Sequence, residues 1–93
     1  MMRMSLFLTA CLLTFNAFAL RTVDNGYVWN RASSAQRDAL VREALRQVKV
    51  EKIRYPYSEM RACVDAFYAP PAPDNILRQE IAEVMTMCHA QLR

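Results

Sequence analysis

Three cysteines and one histidine are the residues of this chain best suited to nucleophilic catalysis or metal binding: Cys11, Cys63, Cys88 and His89. An imidazole beside a thiol can generate a reactive thiolate. Adjacent residues on a helix face different directions, however, so His89 is badly placed to serve as a base for Cys88. The cysteines and the histidine also lack the C-x-x-C and H-x-x-H spacings of zinc sites. The sequence therefore predicts neither a nucleophilic cysteine nor a metal site.

The acidic and basic residues do not form a recognisable catalytic or nucleic-acid-binding pattern. The closest carboxylate pairs, Glu59 with Asp65 and Glu80 with Glu83, fall on the predicted outer faces of helices, where solvated charge is the ordinary role. The single glycine, Gly26, excludes glycine-rich phosphate loops. A net charge of +3, spread along the chain, gives no stripe that could follow a phosphate backbone. We therefore expect a non-enzymatic protein without a cofactor and without a nucleic-acid partner.

The N-terminal residues resemble a secretory signal peptide. Arg3 precedes an apolar run, and Ala17-Phe18-Ala19 places small residues before a cleavage site. The run, residues 4–15, is shorter than the ~20 residues that span a bilayer as a helix. We expect residues 1–19 to be a signal peptide cleaved after Ala19. Residues 20–93 would then be a single small helical domain, periplasmic or secreted from a bacterium, with no membrane span.

An alternative interpretation of the same segment remains open. Leu8-Thr9-Ala10-Cys11 resembles a bacterial lipobox, in which Cys11 would be the lipidated residue. The protein would then be an envelope lipoprotein or structural component held at the membrane.

Helical patterns dominate the rest of the chain, which predicts an all-α fold: a small bundle of about three helices. Residues 20–32 have no clear period, with a turn at Asp24-Asn25-Gly26 and a packing lid at Trp29 and its two preceding residues. Ser33 and Gln36 form a capping box that begins the first helix, which should end near residue 53. Its apolar stripe comprises Leu40, Val41, Ala44, Leu45, Val48 and Lys52.

Two further helices flank a proline-rich linker. Ser58 is the predicted N-cap of the second helix, and prolines at positions 70, 71 and 73 end it. Asp74 or Asn75 is the predicted cap of the last helix, which keeps one apolar stripe to the C-terminus. The two stripes comprise Met60, Cys63, Val64 and Phe67, then Leu77, Ile81, Val84, Met85, Cys88 and Leu92.

Cys63 and Cys88 are expected to form a disulfide. Both lie on core stripes, and they are an even pair once Cys11 leaves with the signal peptide of an exported chain. In an antiparallel hairpin whose last helix begins at residue 74 or 75, the cysteines would be offset by roughly 10–13 Å along the axes. We expect the extended linker, residues 69–73, to correct this offset. The alternative is two buried, unpaired thiols.

Three tyrosines lie beside prolines at the ends of the predicted elements: Tyr55, Tyr57 and Tyr68. They either pack the small core or form a contact patch along one edge for a partner protein. The sequence leaves both interpretations open and identifies neither a particular partner nor an oligomeric state.

A longer pattern resembles a group of uncharacterised small exported bacterial helical proteins. The pattern is W-x3-S-x2-Q-K, later Y-x-E, then D-x-F-Y-x2-P-x-N and a closing helix. The corresponding residues are Trp29, Ser33, Gln36, Arg37, Tyr57, Glu59, Asp65, Phe67, Tyr68, Pro71 and Asn75. This resemblance implies export and an all-helical fold. A likeness at the level of fold alone extends to periplasmic acid chaperones of the HdeA type and to small periplasmic immunity proteins. Together these features predict a protein-binding role in the periplasm, of a chaperone-like or immunity-like kind.

Overall fold

Helix α1 begins where the sequence predicts a turn. In the computed structural model, which describes residues 19–47 and 53–93, α1 spans Gly26–Arg31. The Asn25 side-chain Oδ1 accepts hydrogen bonds from the backbone N–H groups of Tyr27 and Val28, at 3.0 and 3.3 Å. These bonds satisfy two of the amides that the first turn leaves unpaired. The Asp24-Asn25-Gly26 turn is therefore also a helix start.

Helix α2 spans Ser34–Gln47 and begins with the predicted capping box. The Ser33 N–H donates to Gln36 Oε1 at 2.8 Å, and the Gln36 N–H donates to Ser33 Oγ at 3.1 Å. This part of the sequence prediction is confirmed. The predicted continuation of the stripe through positions 48 and 52 lies outside the described residues, as do the signal-peptide segment up to residue 18 and Cys11.

Helix α3 spans Tyr57–Tyr68 and starts one residue before the predicted cap. Pro56 occupies the capping position and Ser58 lies inside the first turn, so the N-cap predicted at Ser58 is wrong. Proline suits this boundary because its fixed φ and missing N–H cost little where amides are unpaired anyway.

The last helical pattern is divided into two helices. Helix α4 spans Asp74–Leu77, and α5 spans Ile81–Leu92. Backbone carbonyl groups that are distant in sequence fix the start of α5. The Ile81 N–H donates to the Asp24 carbonyl at 2.8 Å, and the Ala82 N–H donates to the Thr22 carbonyl at 3.0 Å. The prediction of one continuous last helix from residue 74 or 75 is therefore wrong.

Helices α3 and α5 pack most extensively against each other, and α2 and α1 pack against α3. The core lies between them and contains one tryptophan, two tyrosines and a set of aliphatic, methionine and cysteine side chains: Trp29, Val41, Tyr55, Met60, Val64, Tyr68, Ile81, Val84, Met85 and Cys88. Within residues 19–47 and 53–93 there are no strands, so the all-α prediction is confirmed there. The described residues form five helices, three long and two short, where the sequence predicted about three.

Candidate functional site

The facing sides of α3 and α5 bring Cys63 and Cys88 together. Their Sγ atoms lie 2.11 Å apart, at disulfide distance, and their Cα atoms are 6.0 Å apart. Cys88 is buried, whereas Cys63 is partly exposed. The sequence prediction of this pair is confirmed at the level of distance.

The register of the two cysteines has a different cause from the one predicted. Cys88 lies seven residues after Ile81, where α5 begins, and Cys63 lies five residues before Tyr68, where α3 ends. At 1.5 Å per residue these positions differ by only about 3 Å along the helix axes. The late start of α5 therefore accounts for most of the alignment, and the linker does not have to correct an offset of 10–13 Å.

An open depression, which we name the disulfide groove, borders this pair. It has a volume of about 300 Å³. Three residues of α3 and three of α5 line it: Cys63, Ala66, Phe67, Met87, Cys88 and Gln91. Met87 is 41% exposed and is one of three exposed large apolar side chains among the described residues, with Val23 and Tyr27. The groove thus exposes apolar surface to solvent along the contact between α3 and α5.

The three tyrosines that could either pack the core or form a contact patch do not form an exposed surface. Tyr68 is fully buried and Tyr55 is 7% exposed, while Tyr57 is half-buried. Each has a different partner. The Tyr68 hydroxyl donates to the Gln79 carbonyl at 2.6 Å, the Tyr57 hydroxyl accepts a hydrogen bond from Arg42, and that guanidinium also lies over the Tyr57 ring. Of the two interpretations that the sequence left open, burial favours packing for Tyr55 and Tyr68, because both rings fill this small core.

His89 is engaged with Tyr55 rather than with a thiol. The Tyr55 hydroxyl and His89 Nδ1 are 2.6 Å apart, and the two rings are tilted against each other with centroids 5.7 Å apart. The neighbouring Cys88 sulfur is paired with Cys63. In the part of the chain that the structure describes, no group of histidine, cysteine and acidic side chains could hold a metal ion.

Asp65 is the polar residue whose role the sequence interpretation missed. Its Oδ1 accepts hydrogen bonds from Trp29 Nε1 at 2.9 Å and from Arg37 Nη1 at 3.0 Å, and its Oδ2 accepts one from Arg61 Nε at 3.0 Å. The prediction that Asp65 is a solvated surface charge is therefore wrong. The spacing of Arg61 and Asp65 is a local signal for one of these bonds. The other donors come from α1 and α2.

Arg61 and Arg37 extend this network to the backbone and side chains of neighbouring helices. Arg61 Nη1 donates to Asp38 Oδ1 at 2.7 Å and to Ser34 Oγ at 3.0 Å. The hydrogen bond to Asp38 raises the pKa of Arg61 above its usual value, with a further contribution from Asp65. Arg37 Nε donates to the Trp29 carbonyl at 2.9 Å. We interpret the network as a polar clamp that joins α1, α2 and α3, because its groups bond to one another.

Comparison of the chain with known protein families, curated proteins and solved structures finds no match. None of the helices in residues 19–47 and 53–93 has the length and apolar character needed to cross a bilayer.

Proposed function

We propose that this protein is an exported, non-enzymatic helical protein that binds another protein through the disulfide groove. The observation that carries the proposal is the exposure of Met87 at an apolar depression between α3 and α5. Large exposed apolar side chains beside a concave surface are typical of protein-binding sites. Methionine suits such a site because its flexible thioether adapts to different partner shapes.

The groove is suited to an apolar side chain of the partner. Its volume of about 300 Å³ is at the small end of the range of roughly 300–1,000 Å³ for ligand sites. Its single polar side chain, Gln91, offers an amide for a partner's backbone. We expect one aromatic or branched aliphatic anchor to enter the groove, with Met87 packing over it.

Export is supported by three independent features of the chain. The first is the signal-peptide pattern that ends at Ala19, and the second is the resemblance to small exported bacterial proteins. The third is the cysteine pair, since disulfides persist mainly in oxidising compartments such as the bacterial periplasm. A non-enzymatic role is supported by His89 and Asp65, whose described hydrogen bonds join parts of the fold to one another.

A photo-crosslinking experiment tests the binding site. A photoreactive amino acid is placed at position 87 in the full chain, expressed in bacteria and irradiated. Val23, which is 58% exposed before α1 and does not line the groove, is the matched control position. We expect a discrete crosslinked protein from position 87 that the control position does not capture. It should disappear when Ala66 is replaced by Glu. Absence of a crosslink at 87, or equal capture from both positions, contradicts the proposal.

The lipoprotein alternative rests on Leu8-Thr9-Ala10-Cys11 and leads to a different exported form. Cleavage after Ala19 yields a chain beginning at Leu20, whereas lipobox processing yields a chain beginning at an acylated Cys11. The intact mass of the exported protein distinguishes them. A mass corresponding to residues 20–93 supports the soluble binding protein, and a mass with acyl chains at Cys11 supports an envelope component.

A further inference from the structure

A second depression, the interhelical cavity, lies between α2, α3 and α5 and shares no lining residue with the disulfide groove. Its volume is about 250 Å³, and its wall is mainly apolar, with Ala44 and Leu45 from α2, Met60 from α3 and Met85 from α5. Met60 and Met85 also belong to the buried core. An apolar cavity of about 150 Å³ in another protein binds benzene. The interhelical cavity is larger but open to solvent beside Ala82 and Thr86, so a ring system would be covered on one side only.

The polar part of the described wall is small and consists of Thr22, which precedes α1, together with Thr86 and His89. Thr86 and His89 lie one turn apart on α5, and both line the cavity. The Thr86 hydroxyl donates its hydrogen to the Ala82 carbonyl at 2.9 Å. A hydroxyl has one hydrogen, so Thr86 Oγ1 can accept a hydrogen bond from a ligand but cannot donate one to it. The Tyr55 hydroxyl holds the His89 ring in place through Nδ1.

The described lining residues disfavour a strongly charged ligand. None of them carries a carboxylate, an ammonium group or a guanidinium group. A charged molecule would give up part of its hydration on entering and would gain no ion pair with a carboxylate, ammonium or guanidinium group in return. An uncharged ring would lose little on leaving water and would gain contacts with the two methionines.

We propose that the interhelical cavity binds a compact, uncharged aromatic molecule of one or two rings with a single N–H or O–H donor, of which indole and phenol are the simplest examples. The ring system lies among Leu45, Met60 and Met85, and the donor group is directed to Thr86 Oγ1. This ligand site is separate from the proposed protein-binding groove, so either can fail without the other.

Titration of the full chain with indole, observed through ¹³C-labelled methionine methyl groups by NMR, tests the proposal. Met60 and Met85 report on the cavity, and Met87 reports on the disulfide groove. We expect indole to shift the first two signals in a saturable manner and to leave the Met87 signal unchanged. Absence of saturable shifts at Met60 and Met85, or a shift of Met87 alone, overturns the proposal.

Matched ligands and variants test the chemistry of recognition. Benzofuran has nearly the shape of indole without the donor, and we expect it to bind about tenfold more weakly, which corresponds to one hydrogen bond. Thr86→Val should remove that preference.

Ala82 is exposed and lines the cavity, so Ala82→Leu should fill part of the space and weaken indole binding about tenfold. Ala62→Leu, at an exposed position of α3 outside the cavity, is the control. Equal binding of indole and benzofuran by the wild type overturns the proposal.

Discussion

The backbone of Gly26 lies directly against the ring of Tyr68. A Cβ atom at position 26 would lie 2.3 Å from Tyr68 Cδ1 and 2.5 Å from Cε1. Gly26 does not have a positive φ, so this position needs glycine for space rather than for backbone freedom. The contact allows α1 to sit on α3, where the Tyr68 ring is fully buried.

Gly26→Ala should destabilise the protein, although glycine-to-alanine changes in helices usually stabilise by up to about 1 kcal/mol. The added methyl group would overlap the Tyr68 ring, and relief of such overpacking typically costs ~1–3 kcal/mol. Urea unfolding monitored by circular dichroism measures the change.

The control is Gly26→Ala made in a Tyr68→Leu variant, which tests whether the Tyr68 ring is the reason that the added methyl group destabilises the protein. Without the ring, the methyl group at position 26 should have space, and Gly26→Ala should become neutral or stabilising there. Equal destabilisation in both backgrounds would show that another contact is responsible.

Loss of the Cys63–Cys88 bond should reduce the free energy of unfolding by roughly 3–3.5 kcal/mol. The cysteines are 25 residues apart, and the chain-entropy model relates the effect to the loop that the bond closes. For a small domain with a total stability of ~5 kcal/mol, this loss is large. Denaturation with and without a reductant measures the loss in the free energy of unfolding.

The double variant Cys63→Ala/Cys88→Ala should resemble the reduced protein and be insensitive to the reductant. An unchanged midpoint on reduction of the wild type would contradict the prediction.

The sequence predicted the features that local rules determine. The capping box at Ser33 and Gln36 involves residues three positions apart, and the helical stripes placed Cys63 and Cys88 on core faces. The N-cap at Asn25 could also have been predicted from local sequence, because its side chain accepts hydrogen bonds from Tyr27 and Val28, two and three residues later. It was missed because α1 has only six residues, too few to show a helical period.

The remaining features depend on partners that are distant in sequence. The start of α5 is set by the carbonyl groups of Thr22 and Asp24, almost sixty residues earlier, and no side chain beside Ile81 signals it. The role of Asp65 at the centre of the polar clamp likewise requires donors from α1 and α2. Periodicity describes which face a residue occupies, and it cannot identify a hydrogen-bond partner on another helix.

Asp65→Asn should lower the free energy of unfolding by about 1–3 kcal/mol. The carboxylate accepts three hydrogen bonds, two of them from guanidinium groups, and bonds to charged groups contribute about 1.5–3 kcal/mol when buried. The lower bound allows for solvent, because about a third of the Asp65 side chain is exposed. Chemical denaturation at constant ionic strength measures the loss.

Glu59→Gln is the matched control for the removal of one negative charge from α3. Glu59 lies on the same helix and is exposed. We expect its replacement to change stability by less than about 0.5 kcal/mol, as is usual for surface positions. Similar losses in the two variants would indicate a general charge effect and contradict the assignment of Asp65 as the centre of the clamp.

The stability contributed by the Tyr68 hydroxyl should disappear at high pH. Burial, with smaller contributions from Glu83 and Glu80, raises the pKa of Tyr68 from 10.0 to about 12. The folded state therefore favours the neutral phenol, so this contribution is fully present below the unfolded pKa of about 10 and is lost as the pH rises to about 12.

Tyr68→Phe keeps the ring against Gly26 but loses the hydrogen bond to the Gln79 carbonyl, which should cost ~1 kcal/mol near neutral pH. The difference in unfolding free energy between the wild type and Tyr68→Phe should narrow, and then reverse, as the pH rises from about 10 to about 12, because phenylalanine has no proton to lose. Urea denaturation of both proteins across this range measures the difference, and a constant gap would contradict the raised pKa.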